Sequence, residues 1–182
     1  LHLERAESIA EITAAARGLT DVLGNLHAQG VHMSYLMDLL SALNSRLMGA
    51  LFDALVPPAM RSKLCLLVLG SEGRSEQLMK TDQDNALILA DDLDWPQLEA
   101  VCEEFSTALQ ALGYPPCPGK VMINNSAWRL RQSEWTQRVA HWSQNYDGNA
   151  LLDLAICVDA RPIAGNAALF APLKSQLLSL SS

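Results

Sequence analysis

The chain has 182 residues, 49% of them apolar and 18% charged, with a formal net charge of −7. That length supports one globular domain with its own core and an accessory element, and no apolar run reaches the roughly 20 residues of a membrane span. The acidic balance and the lack of a Lys/Arg stripe exclude a nucleic-acid backbone as substrate, though not a single nucleotide held by a loop and a metal.

Residues 1–28 read as a helix. Ile9, Ile12, Ala16, Leu19, Leu23 and Leu26 repeat at the alternating three- and four-residue spacing of an a/d seam. Gly30 breaks it. A second helix is expected over 33–55, with Leu36, Leu40, Leu43, Leu47, Leu51 and Leu55 on one face, ended by Pro57 and Pro58. The pair fits a helical hairpin packed on the domain; a connector or dimer seam from an upstream domain is the other reading. The boundary is drawn after residue 58, with 1–58 as hairpin or connector and 59–182 as the main domain. The run at 63–69 is nearly all apolar, as in a strand buried on both faces, and 85–90 is a second such run. A helix is expected over 95–112, entered through Asp91, Asp92 and Asp94 and closed by Gly113. Three prolines make 114–119 a loop. A helix over 126–146 carries Trp128, Trp135 and Trp142, which read as core rather than as a base-stacking platform. A third strand is expected over 151–163 and a last helix over 167–180. Strands alternating with helices give an α/β (α+β) domain, a small mixed sheet flanked by helices.

Cys65, Cys102, Cys117 and Cys157 show no metal-ligand spacing, nor do His2, His27, His32 and His141. Cys65 and Cys157 sit in apolar runs and read as buried core thiols. A reduced, cytoplasmic setting is expected. The chain begins at Leu1 and is expected to be a piece of a longer protein.

The chemistry lies in the segment from Leu69 to Ile88. A buried strand ends at Gly70, where the backbone can approach a ligand closely. The stretch from Ser71 to Gln77 can open a short helix, whose first amides favour anions. Ser71 adds a hydroxyl donor, and Arg74, one turn on, can add a bidentate contact. Asp82 and Asp84, at i and i+2 of an entering strand, share a face. Two such carboxylates repel unless a cation lies between them, and Mg²⁺ suits oxygen ligands and phosphates. Either half alone is a weak signal. Together they bring phosphate donors and metal carboxylates to one end of two neighbouring strands.

This segment resembles the signature of the DNA-polymerase-β-type nucleotidyltransferase superfamily. More closely, it resembles bacterial nucleotidyltransferase domains related to the N-terminal domain of protein-PII uridylyltransferase. The Gly-Ser-Glu-Gly-Arg-x-Glu-Gln pattern is matched at Gly70 to Gln77 and the Thr-Asp-Gln-Asp pattern at Thr81 to Asp84. The likeness continues through His27, Gly30, Val31 and His32, then Cys117-Pro118, Val121-Met122, the three tryptophans, and Asp159-Ala160-Arg161-Pro162 with Gly165. Lys120 departs from an expected Gly, and Asn166 from a common Asp.

The resemblance implies a nucleotidyltransferase-type sheet preceded by a long helical hairpin. It implies transfer of a nucleoside monophosphate from an NTP to a hydroxyl of a protein or small molecule, in signal transduction. Asp82, Asp84 and a third carboxylate would hold two Mg²⁺ ions, with Mn²⁺ as a substitute. Gly70, Ser71, Gly73, Arg74 and Arg161 would hold the nucleotide. Asp153 and Asp159 share one parity of the expected strand, and Asp159, at its end beside Arg161, is preferred over Asp153 as the third ligand. The resemblance also implies an upstream cyclic-nucleotide-binding or CBS sensor domain and a downstream substrate-binding domain; a homodimer is the expectation if the seam of the helical pair is a dimer seam. No nucleic-acid or membrane partner is expected. The alternative is a non-catalytic nucleotide-binding module coupled to sensor domains. The Asp82/Asp84 pair favours the enzyme, since a pure binder need not keep two repelling carboxylates.

Overall fold

In the computed structural model of the chain, residues 2–69, 83–145 and 147–180 are described. The apolar run at 63–69 becomes β1 (Leu64–Val68), and the run at 85–90 becomes β2 (Asn85–Leu89). They pair antiparallel, Val68 opposite Asn85. β3 (Arg129–Arg131) lies parallel to β2, and β4 (Arg161–Gly165) lies antiparallel to β1. The sheet order is β3-β2-β1-β4.

Both faces of this sheet are covered, which is why its central strands carry no polar alternation. One face, with Leu64, Leu66, Leu87 and Leu89, packs on α2 (Met33–Leu55) and α3 (Leu98–Ala111). The other, with Cys65, Leu67, Ala86 and Ile88, packs on α4 (Gln132–Gln144), α5 (Gly148–Val158) and α6 (Ala171–Ser179). Trp128, Trp135 and Trp142 are buried in this second core, with Trp128 ring-to-ring at 6.0 and 5.9 Å from the other two. Trp135 Nε1 donates to the Leu87 carbonyl at 2.9 Å. The stripe is core, as expected.

α1 (His2–Ala28) folds back on α2 as a hairpin. Its seam residues Ile9, Ile12 and Ala16 join the α2–sheet core, while Leu19, Leu23 and Leu26 meet Leu36 and Leu40. The turn is a Schellman closure. Gly30, at φ +85, donates to the His27 carbonyl, and Val31 donates to the Leu26 carbonyl. His32 Nδ1 then accepts from the Ser34 amide as the N-cap of α2. The His-x-x-Gly-Val-His segment is thus architecture.

The expected strand over 151–163 is a correction. Its first part is α5, and only Arg161–Gly165 is strand. Ala150, Leu154 and Cys157 face the core at helical spacing, and Leu152 and Val158 are exposed rather than core. A short apolar run cannot be told from a buried strand by parity. The helix signal was Asp147, whose Oδ1 accepts from the Ala150 amide at 2.7 Å as N-cap. The helix expected over 126–146 likewise divides into a 3-10 turn (Ser126–Trp128), β3 and α4, and that expected over 167–180 divides into a 3-10 turn (Ala167–Phe170) and α6. The helix expected from Trp95 starts at Leu98. The acidic run before it serves other elements: Asp91 accepts from the Ser133 amide at the start of α4, and Asp92 pairs with Lys63 at 2.7 Å.

Candidate functional site

β1 ends where β2 begins. The register Val68 opposite both Asn85 and Arg161 brings the end of β1 and the starts of β2 and β4 to one edge. Beyond it the ladder gains one more bond, the Leu69 amide to the Asp84 carbonyl at 3.1 Å.

Alternation along β2 then sorts the side chains. Gln83 and Asn85 turn toward α3 and both are 1% exposed. Gln83 Nε2 donates to the carbonyls of Ser106 and Tyr114, and its amide to that of Pro115. Asn85 Oδ1 accepts from the Ile123 amide at 2.8 Å, and its own amide donates to the Val121 carbonyl. Asp84 lies between these two anchors and points to the opposite face, toward α5. The sequence carries no signal that singles out Gln83 and Asn85. Polar residues beside two acidic ones read as surface, and only burial shows that they clamp the strand.

Asp84 and Asp159 line one cavity of about 420 Å³, with Cys117, Gly119, Val121, Ala155 and Ile156. Asp159 comes from the C-cap of α5, one turn beyond Ala155 and Ile156. Asp153 does not line this cavity. Burial raises its pKa, and Arg138 partly offsets that. Cys117 is half-buried, its thiol pushed up first by burial and then by its hydrogen bond to Asp84. The thiol therefore faces Asp84 as a neutral donor. Arg161 shares the face of Val68 and Asn85 and lies on the α2 side, where Nη2 donates to Ser45 Oγ at 2.8 Å and Ser41 Oγ at 3.1 Å. The sheet edge therefore separates Arg161 from the Asp84 side.

Gly70, Ser71, Gly73, Arg74 and Asp82, with the short helix expected from Ser71, lie outside the described residues. Among the described residues no three His, Cys, Asp or Glu side chains converge as a metal site. Asp84 and Asp159 bring hard carboxylate oxygens to one cavity, while the Cys117 thiol beside them is held in its neutral form by burial and by Asp84. Such a donor set fits a cation like Mg²⁺ and needs further oxygen ligands to complete it.

The other thiols are inert. Burial pushes Cys65 and Cys157 up to about 12 and Cys102 up to about 11. No described helix is long and apolar enough to cross a membrane.

A family model described as "Putative nucleotidyltransferase DUF294" matches residues 17–149. The match contains the whole segment from Gly70 to Asp84 and stops short of Asp159 and Arg161. No curated protein and no solved structure matches the chain.

Proposed function

The chain belongs to the DUF294 nucleotidyltransferase family, and on that premise we propose that it moves a nucleoside monophosphate group from an NTP to a hydroxyl, using divalent metal held by Asp82, Asp84 and Asp159. The observation that carries this reading is the shared cavity of Asp84 and Asp159, contributed by different elements. Asp82 is two residues before Asp84 and would complete the oxygen set.

Two Mg²⁺ ions, or Mn²⁺, would supply charge neutralisation for the triphosphate and the leaving pyrophosphate, and acidify the attacking hydroxyl. The protein's own part is orientation. Gln83 and Asn85 hold β2 so that Asp84 faces the cavity, and the Cys117 thiol donates to its carboxylate. The amides around Gly70 and Gly73, with Ser71 and Arg74, would hold the β- and γ-phosphates. Arg161 would have to release Ser41 and Ser45 to reach a phosphate. The acceptor is a hydroxyl of a protein or small molecule, in a signalling role like that of protein-PII uridylyltransferase.

The test is thermal melting with Mg²⁺, NTP, or both. Ligand at about 100 times Kd adds roughly 2.7 kcal/mol, and each kcal/mol raises Tm by about 2–4 °C for a chain of this size. Both ligands together should therefore raise Tm by several degrees, and NTP alone by much less, since its phosphates would meet the carboxylates without a cation. Asp82→Asn with Asp84→Asn should remove the Mg²⁺ dependence and leave the fold intact. An equal shift in the variant would overturn the reading.

A further inference from the structure

Beside the acidic cavity lies a second hollow of about 460 Å³, walled by Pro116, Pro118 and Met122 and by the polar Lys120 and Asn124. The two share Cys117, and the segment 119–122 divides them: Gly119 and Val121 line the first, Lys120 and Met122 the second. This wall is braced. The Lys120 amide donates to the Cys117 carbonyl at 2.9 Å, and the Lys120 carbonyl accepts from the Met122 amide and from Asn125 Nδ2. Lys120 itself sits at φ 56, the one described residue other than glycine in the left-handed region. Any side chain beyond glycine is costly there because of its Cβ, and such costs persist where the side chain has a use.

We propose that this second hollow takes the nucleoside moiety of the nucleotide whose phosphates lie at Asp84 and Asp159. The inference rests on the nucleotidyl-transfer reading and adds to it a subsite for base and sugar. Apolar walls with a few polar groups are what a nucleoside needs, and the volume lies within the range of small-molecule pockets. Pro116, Pro118 and Met122 meet its flat faces. Lys120 brings donors only, and the Asn124 amide, whose Nδ2 also donates to Glu103 Oε2 at 3.3 Å, brings its carbonyl acceptor and second N–H, so together they meet its polar edges.

Equilibrium binding to the 182-residue chain in Mg²⁺, with each of the four common NTPs against inorganic tripolyphosphate, tests this. At least one NTP should bind about tenfold or more tighter than tripolyphosphate, the equivalent of roughly one or two net hydrogen bonds. Lys120→Gly and Asn124→Ala should each weaken that NTP about fivefold and leave tripolyphosphate unchanged. Lys120→Gly keeps the fold, because glycine suits the backbone there. Equal wild-type affinity for tripolyphosphate and all NTPs overturns the subsite and leaves the transfer reading standing. Equal weakening of both ligands by Lys120→Gly makes Lys120 a phosphate contact and also overturns it. Failure of both ligands to bind overturns the transfer reading and the subsite together.

Discussion

Three single residues show how backbone constraint is distributed. Gly165 has φ +79, and a Cβ there would lie 2.2 Å from the Leu64 carbonyl oxygen. The neighbour is strand backbone and cannot yield. Gly165→Ala should cost at least about 2 kcal/mol from the left-handed conformation and the clash together, lowering Tm by about 4 °C or more. Lys120 is the opposite case: its position suits glycine and carries lysine. Lys120→Gly should gain up to about 1 kcal/mol, a rise in Tm of about 2–4 °C. A lower Tm would show that the loop is held by more than its backbone. Asn166, where an Asp was expected, caps the following turn through Oδ1 to the Ala168 amide and also donates from Nδ2 to the Ser62 carbonyl. An Asp would keep the first bond and lose the second.

At the scale of elements, α5 decides where the candidate third carboxylate stands. Its N-cap is Asp147. Asp147→Ala should cost about 0.5–2 kcal/mol, with faster amide exchange in the first turn of α5. Asp153 on the same helix has its pKa raised by burial, Arg138 pulling the other way. The folded state therefore holds that proton more tightly than the unfolded chain. Stability falls as pH rises from the unfolded carboxylate value through the folded one, and the penalty is complete above both. Asp153→Asn should melt above wild type at neutral pH, and the difference should vanish as pH falls below the carboxylate range. A difference independent of pH would place the effect in packing instead. On β2, Gln83→Ala would remove the two hydrogen bonds that Gln83 Nε2 donates to the carbonyls of Ser106 and Tyr114. About 1–3 kcal/mol is expected for such a loss, together with weaker Mg²⁺–nucleotide binding. Unchanged binding would show that Asp84 needs no clamp.

Across the whole molecule, the sheet divides two cores, and three of the four cysteines are buried in them. Cys117 alone is half-buried, at the cavity. A thiol reagent should therefore modify one cysteine per folded chain and all four in denaturant. Mg²⁺ with NTP should slow that one reaction, because ligand and reagent compete for the same cavity. Modification of a second thiol at a similar rate in the folded chain would contradict the packing of α5 or α3 on the sheet. Close approach also sets the layer spacing: a Cβ at Gly49 would lie 2.9 Å from the Ile163 carbonyl, so α2 rests directly on β4.

Taken by itself, the sequence determined the hairpin of α1 and α2, the two central strands, the tryptophan core, and the residues from Gly70 to Asp84 as the place where chemistry was expected. These are local signals: a repeat of three and four, an apolar run, a spacing of two. Only the tertiary structure decided that the stretch around Asp153 is helix, that Asp159 rather than Asp153 shares a cavity with Asp84, and that Arg161 lies on the α2 side. Only it showed Gln83 and Asn85 buried as clamps and Lys120 in a glycine conformation. The physical reason is that a run of alternating or continuous apolar residues satisfies strand and helix alike until its neighbours fill one face. Burial of a polar side chain, likewise, depends on partners distant in sequence: Ser106 and Tyr114 for Gln83, Ile123 for Asn85.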